Sequence, residues 1–208
     1  MENRFRSRET AEANMKMLLI SLPGNYGPGR RKRPREDTNA HEEGSIDMDI
    51  FAYAMQMEKD GEAYYRELAG KTSNRSLKAI LNLLADAEVK HFNVLKQLKN
   101  DDSAAQMDDD AVFESSKNIF NEMQTSGDVE GITGNEAALY RKAYEIESKS
   151  YDFYNEKAGE VKDEAAAILS KIAGEEKRHM VLMDTLAEMV NRPQSWLEDA
   201  EWNHWDRY

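Results

Sequence analysis

The chain has 208 residues, about one third of them charged, a net charge of −12 and no cysteine. That length holds one well-buried domain plus an appendage. The lack of cysteine excludes disulfides, thiolate metal sites, iron–sulfur clusters and cysteine nucleophiles, and the acidic balance argues against nucleic acid as a partner. Sparse Gly and Pro beside plentiful Met, Ala, Leu, Glu and Lys favour helix. No run approaches the ~18 apolar residues of a membrane span.

Residues 1–45 differ from the rest. They hold Pro23, Pro28 and Pro34, the glycines of "PGNYGPG", and nine basic against seven acidic side chains, whereas the remainder carries 19 basic and 33 acidic. A Pro/Gly-rich, locally basic, weakly periodic stretch is expected to be a disordered N-terminal extension. Its "RRKRPRE" (30–36) reads as an import signal, an anion-binding patch or a plain solvated run. "MLLISL" (17–22) is too short for a signal-peptide core and no small-residue cleavage pattern follows, so a cytoplasmic location is expected.

From residue 45 the pattern is helical. A first long helix is expected over 48–71, with Ser45 or Asp47 as N-cap, then a turn at 72–76 and a second helix over 77–99. An acidic loop (100–110) leads to a shorter helix near 111–123 and a connection at 125–134. A third long helix is expected over 135–162 and a fourth over 163–191, stopped by Pro193, which cannot continue a helix. Short turns within each pair and a long crossover between the second and third describe an all-α four-helix bundle of the ferritin-like kind over 46–192, its crossover carrying a short extra helix. The last stretch, 193–208, contains Trp196, Trp202 and Trp205. Exposed Trp at that density would be adhesive, so it is expected to pack on the bundle or on a dimer partner.

The apolar stripe of the second helix runs Leu77, Leu81, Leu84, then Glu88 and His91, then Leu95 and Leu98. The fourth repeats it with Ala165, Leu169, Ile172, then Glu176 and His179, then Met183, Leu186 and Val190. Spacings alternating four and three keep every member on the core-facing side, so a carboxylate and an imidazole sit where leucines belong. Glu175, one position off, is expected to face outward. The first helix has Phe51, Ala54, Glu58, Gly61, Tyr65 and Leu68 on its stripe; the third has Tyr140, Ala143, Glu147, Ser150, Tyr154 and Val161. Glu58 and Glu147 are 89 residues apart, as are Tyr65 and Tyr154; Glu88 and Glu176 are 88 apart, as are His91 and His179. The pattern is that of a duplicated helical hairpin.

Two such hairpins bring four Glu and two His to one level of the core. Each buried charge costs several kcal/mol, and mutual repulsion would protonate some of the acids. Two divalent cations remove the conflict, with neutral His nitrogens as ligands. Mixed carboxylate and imidazole ligation suits iron or manganese. A zincin is disfavoured, because H-E-x-x-H needs two His four apart. His41 and His204 are expected to be solvent-exposed.

These motifs resemble the rubrerythrin family of ferritin-like di-iron proteins. "MQMEKDGEAYYRELA" (55–69) and "AEVKHF" (87–92) look like its first ligand helix and first E-x-x-H; "YEIESKSYDFYNEKA" (144–158) and "EEKRHM" (175–180) look like the second pair. The resemblance implies a centre of two iron ions, or manganese, with Glu58 and Glu147 as terminal ligands, Glu88 and Glu176 as bridging carboxylates, and His91 and His179 as one imidazole per metal. It implies Tyr65 and Tyr154 as hydrogen-bond donors that orient ligand carboxylates. Typical members carry a rubredoxin domain with four Cys and, in the peroxidase type, an extra Glu in the third helix. This chain has no Cys, and Ser150 follows Glu147 on the stripe. An external electron donor, such as a rubredoxin-like protein or reductase, is therefore expected, and Ser150 with Gly61 should leave an open face where oxygen or peroxide binds.

The function this implies is a non-haem di-iron oxidoreductase reducing hydrogen peroxide, or oxygen, acting as a homodimer without nucleic acid or membrane. The alternatives are a ferroxidase or iron-handling protein, with the acidic loop as an iron funnel, and a metal-stabilised interaction module built on the aromatic C-terminus.

Overall fold

The computed structural model describes residues 43–100, 105–109 and 111–198 and, for 43–49, the backbone only. Most of the expected N-terminal extension, residues 101–104 and 110 of the acidic loop, His41, His204, Trp202 and Trp205 lie outside the described residues. The elements are α1 (Glu43–Lys71), α2 (Arg75–Lys99), α3 (Val112–Ser126), a 3₁₀ turn (Gly134–Glu136), α4 (Ala137–Ala158), α5 (Asp163–Asn191) and α6 (Pro193–Glu198). Among the described residues there is no strand, and no helix is long and apolar enough to cross a membrane.

The four long helices form two antiparallel hairpins, α1–α2 and α4–α5, each closely packed along its length. Their boundaries depart from expectation at the ends, where capping chemistry decides. The first helix begins at Glu43, so Ser45 and Asp47 lie within it and neither is its N-cap. The turn after it is only three residues long, because Asn74 caps α2: its Oδ1 accepts the Leu77 N–H at 3.0 Å. The same side chain donates to Glu130 O at 3.0 Å, pinning the crossover to this corner.

Helix α3 runs three residues past expectation, to Ser126, and ends on Gly127 in the left-handed region (φ 68°), whose N–H reaches Met123 O at 2.8 Å. Glycine takes that conformation without a Cβ clash. The third long helix is shorter than expected: it starts through a 3₁₀ turn and stops at Ala158, before Gly159. The fourth matches its expected span of 163–191.

Pro193 does halt α5, but it also opens α6, a position where its missing N–H is harmless. That short helix turns Trp196 inward against Phe120, with ring centroids 5.2 Å apart. Leu197 is buried beside it, and its carbonyl accepts from Gln124 Nε2 at 2.9 Å.

The stripes face the interior. Every member named on α1 is buried, as are those on α2 and α5 apart from the end residues Leu98 and Ala165, which are half-buried; Val161 lies beyond the end of α4. Buried apolar residues form two clusters: Leu68, Leu77, Leu81, Leu84 and Leu186 belong to one, Phe51, Leu95, Leu169 and Ile172 to the other. Between them along the helices lies a belt of buried polar side chains.

Candidate metal centre

The belt consists of Glu58, Glu88, His91, Glu147, Glu176 and His179, joined by Glu175, and none is more than 4% exposed. The i, i+3 spacing sets each Glu–His pair on one face of its helix. Two four-residue groups each bring a ligand atom per residue within 4.8 Å of one another: Glu58, Glu88, His91 and Glu176, and Glu88, Glu147, Glu176 and His179. The structure thus gathers all six residues expected as ligands. Glu88 and Glu176 belong to both groups, and each group draws on both hairpins.

Both imidazoles turn Nδ1 toward the carboxylates. His91 Nδ1 lies 3.2 Å from Glu58 Oε2, 3.0 Å from Glu176 Oε1 and 3.7 Å from Glu88 Oε2. His179 Nδ1 lies 3.8 Å from Glu147 Oε1. The two rings are 6.0 Å apart and nearly parallel. The tyrosines cross between hairpins: Tyr65 Oη donates to Glu147 Oε1, and Tyr154 Oη donates to Glu58 Oε1.

Glu175 does not face outward. It is 1% exposed, and its Oε2 lies 2.9 Å from His91 Nε2; Arg178 Nη2 approaches its other oxygen at 3.6 Å. The offset of 88 that relates the two E-x-x-H motifs pairs Glu175 with Ala87, a residue also buried. That small apolar partner was the sequence signal that position 175 points inward.

Left to protons alone, the belt is electrostatically strained. Burial and the Glu58 charge push the Glu88 carboxyl well above the usual carboxylate range, and burial with the Glu147 charge does the same to Glu176. Burial opposes ionisation of Glu58 too, but hydrogen bonds with Glu88, His91 and Tyr154 hold it below its ordinary value. Burial disfavours a charged His91, yet its contacts with Glu175, Glu176, Glu58 and Glu88 raise it well above the usual imidazole range. Burial and adjacent carboxylates push both tyrosines up, so each stays a protonated donor.

The donor set fits two cations. Glu176 Oε1 is buried without a hydrogen-bond partner, though it lies 3.0 Å from His91 Nδ1. Burial and neighbouring charge disfavour ionisation of Glu88 and Glu176, the two carboxylates common to both groups, and two bound cations would offset that repulsion.

A four-helix bundle with a long crossover and a buried pair of Glu–His motifs, each partnered by a Glu from the neighbouring helix, defines a ferritin-like di-metal carboxylate protein. A comparison with family models matches residues 49–187 to Rubrerythrin, about two thirds of the chain. The chain belongs to the rubrerythrin family and is a di-iron protein of that kind. Comparisons with curated proteins and with solved structures gave no match.

Proposed function

We propose that the protein is a non-haem di-iron oxidoreductase that reduces hydrogen peroxide, or oxygen, with electrons from an external donor such as a rubredoxin-like protein or a reductase. The observation that carries this reading is the pair of overlapping ligand groups beside a cleft that reaches Glu88 and Glu147. In it Glu58 and Glu147 would each hold one metal, Glu88 and Glu176, common to both groups, would be shared, and His91 and His179 would supply one imidazole each. Two irons, when bound, deliver two electrons together, as the balance H₂O₂ + 2 e⁻ + 2 H⁺ → 2 H₂O requires.

The chain's own residues do the rest. With a metal held at His91 Nδ1, Glu175 would accept the Nε2 proton of the ring and so orient the imidazole. Tyr65 and Tyr154 hold Glu147 and Glu58 in orientation and keep a proton at each phenol oxygen. Met57, Ala143 and Ile146 make the cleft walls apolar. The same reading makes the protein a cytoplasmic homodimer, a state that light scattering measures directly.

Neither alternative gains from the described residues. On the acidic crossover Asp109 pairs with Lys171 at 3.2 Å, which neutralises part of the supposed iron funnel. Trp196, part of the supposed docking surface, is buried in the bundle.

The test is anaerobic loading with two Fe(II) per chain, then stopped-flow mixing with peroxide or air-saturated buffer while near-ultraviolet charge-transfer absorbance is followed. Peroxide should oxidise the site much faster than oxygen. Equal rates with repeated consumption of added Fe(II) would make it a ferroxidase instead.

A further inference from the structure

The open face above the belt is a cleft between α1 and α4. Glu88, Glu147 and Tyr65 lie at its floor and Ser150 and Ile146 on its α4 wall. It has room for a molecule little larger than water. Gly61 lies directly against the floor: a Cβ there would come within 3.2 Å of Glu88 Cδ and 3.4 Å of its Oε2. The equivalent position in the second hairpin is Ser150, 9% exposed, and Ile146 is half-buried. The opening is therefore shaped by three small or medium side chains, none of which is expected to hold a metal.

We infer that this cleft admits only oxidants of about two heavy atoms to the centre, and that Gly61, Ile146 and Ser150 set the limit. The inference rests on peroxide being the substrate and specifies which peroxides: hydrogen peroxide enters, alkyl hydroperoxides do not. Interiors packed at crystal-like density resist even one added methylene. A tert-butyl group needs several times the space that the cleft offers. Met57, Ala143 and Ile146 offer no polar group to a larger head, whereas Ser150 and Tyr65 supply hydroxyls at the scale of a single O–O unit.

The experiment uses the full chain loaded with two irons. In the wild-type protein tert-butyl hydroperoxide should oxidise the site at least about 100-fold more slowly than hydrogen peroxide, and Ile146→Ala should narrow that ratio about tenfold. Ser150→Val should retain two irons per chain by elemental analysis and bind nitric oxide, a two-atom probe, at the ferrous centre at least about tenfold more weakly, read from the iron–nitrosyl absorbance. Should Ser150→Val lose iron, Ile146→Phe at the half-buried rim makes the same measurement. Equal rates for the two hydroperoxides, or nitric oxide affinity unchanged in the filled variant, would overturn the size limit. If neither hydroperoxide oxidises the site, peroxide reduction itself is wrong, and the nitric oxide titration still decides whether this cleft is the way in.

Discussion

Replacing Glu175 by alanine removes a buried carboxylate that lies 2.9 Å from His91 Nε2. Unit charges about 4 Å apart attract by about 4 kcal/mol at an effective dielectric near 20. Glu58, Glu88 and Glu176 remain beside the ring and supply part of that attraction. What is lost specifically is the proton acceptor that fixes the ring and its tautomer. Removing such a partner weakens metal binding about 10–100-fold, or about 1.4–2.7 kcal/mol. Glu175→Gln, which keeps an acceptor oxygen without the charge, should lie at the low end. Competitive titration with a chelator of known affinity resolves the effect, which should fall on one metal and spare the second, because Glu175 contacts His91 in one group only. Wild-type affinity for both metals in Glu175→Ala would refute the argument and reduce Glu175 to a buried residue satisfied by Arg178.

Because Glu88 is common to both groups, Glu88→Ala should strip both metals, while His91→Ala should leave about one per chain; elemental analysis after desalting separates them. The metal-free protein should lose stability as pH rises above 4.5 into the neutral and alkaline range. Glu88 and Glu176 are raised from their ordinary 4.5 and His91 from 6.5, so the stability they contribute is present below those values and lost as pH climbs through the folded ones. Glu58, shifted down, acts only on the acid side of 4.5. Metal loading should cancel the slope, since ligands bind deprotonated; a melting temperature of the metal-free protein that climbs across that window would contradict this. Trp196→Ala should cost about 3–5 kcal/mol in urea unfolding without changing iron content, given a side chain 4% exposed and packed on Phe120.

Much of this arrangement was legible before any coordinates, for a physical reason. A Glu and a His at i, i+3 inside a leucine stripe cannot be tolerated in a core without a compensating charge, so Glu88, His91, Glu176 and His179 declared themselves by being out of place. Glu58 and Glu147 followed from the repeat spacing. Glu175 escaped because a stripe is drawn along one line of a helix, whereas a helix between three neighbours buries a wider arc; only the comparison with Ala87 carries that information. Helix ends were less legible than helix middles. Asn74 caps α2 by bonding both its own helix and the crossover at Glu130, a contact 56 residues away that no local pattern announces.

Consider what one hairpin has by itself. The first brings Glu58, Glu88 and His91, three donors of a four-donor group. The phenol that donates to Glu58 is that of Tyr154, the acceptor for Tyr65 is Glu147, and the carboxylate behind His91 is Glu175, all of them on the other hairpin. Sliding one half past the other by a helical turn of about 5.4 Å would set leucines against leucines again, yet sever each of these links. Greasy surfaces alone tolerate several alignments; the ionisable belt accepts one. The polar residues that make the interior costly are thus also its vernier, and the chain aligns its two halves with the same atoms it offers to metal.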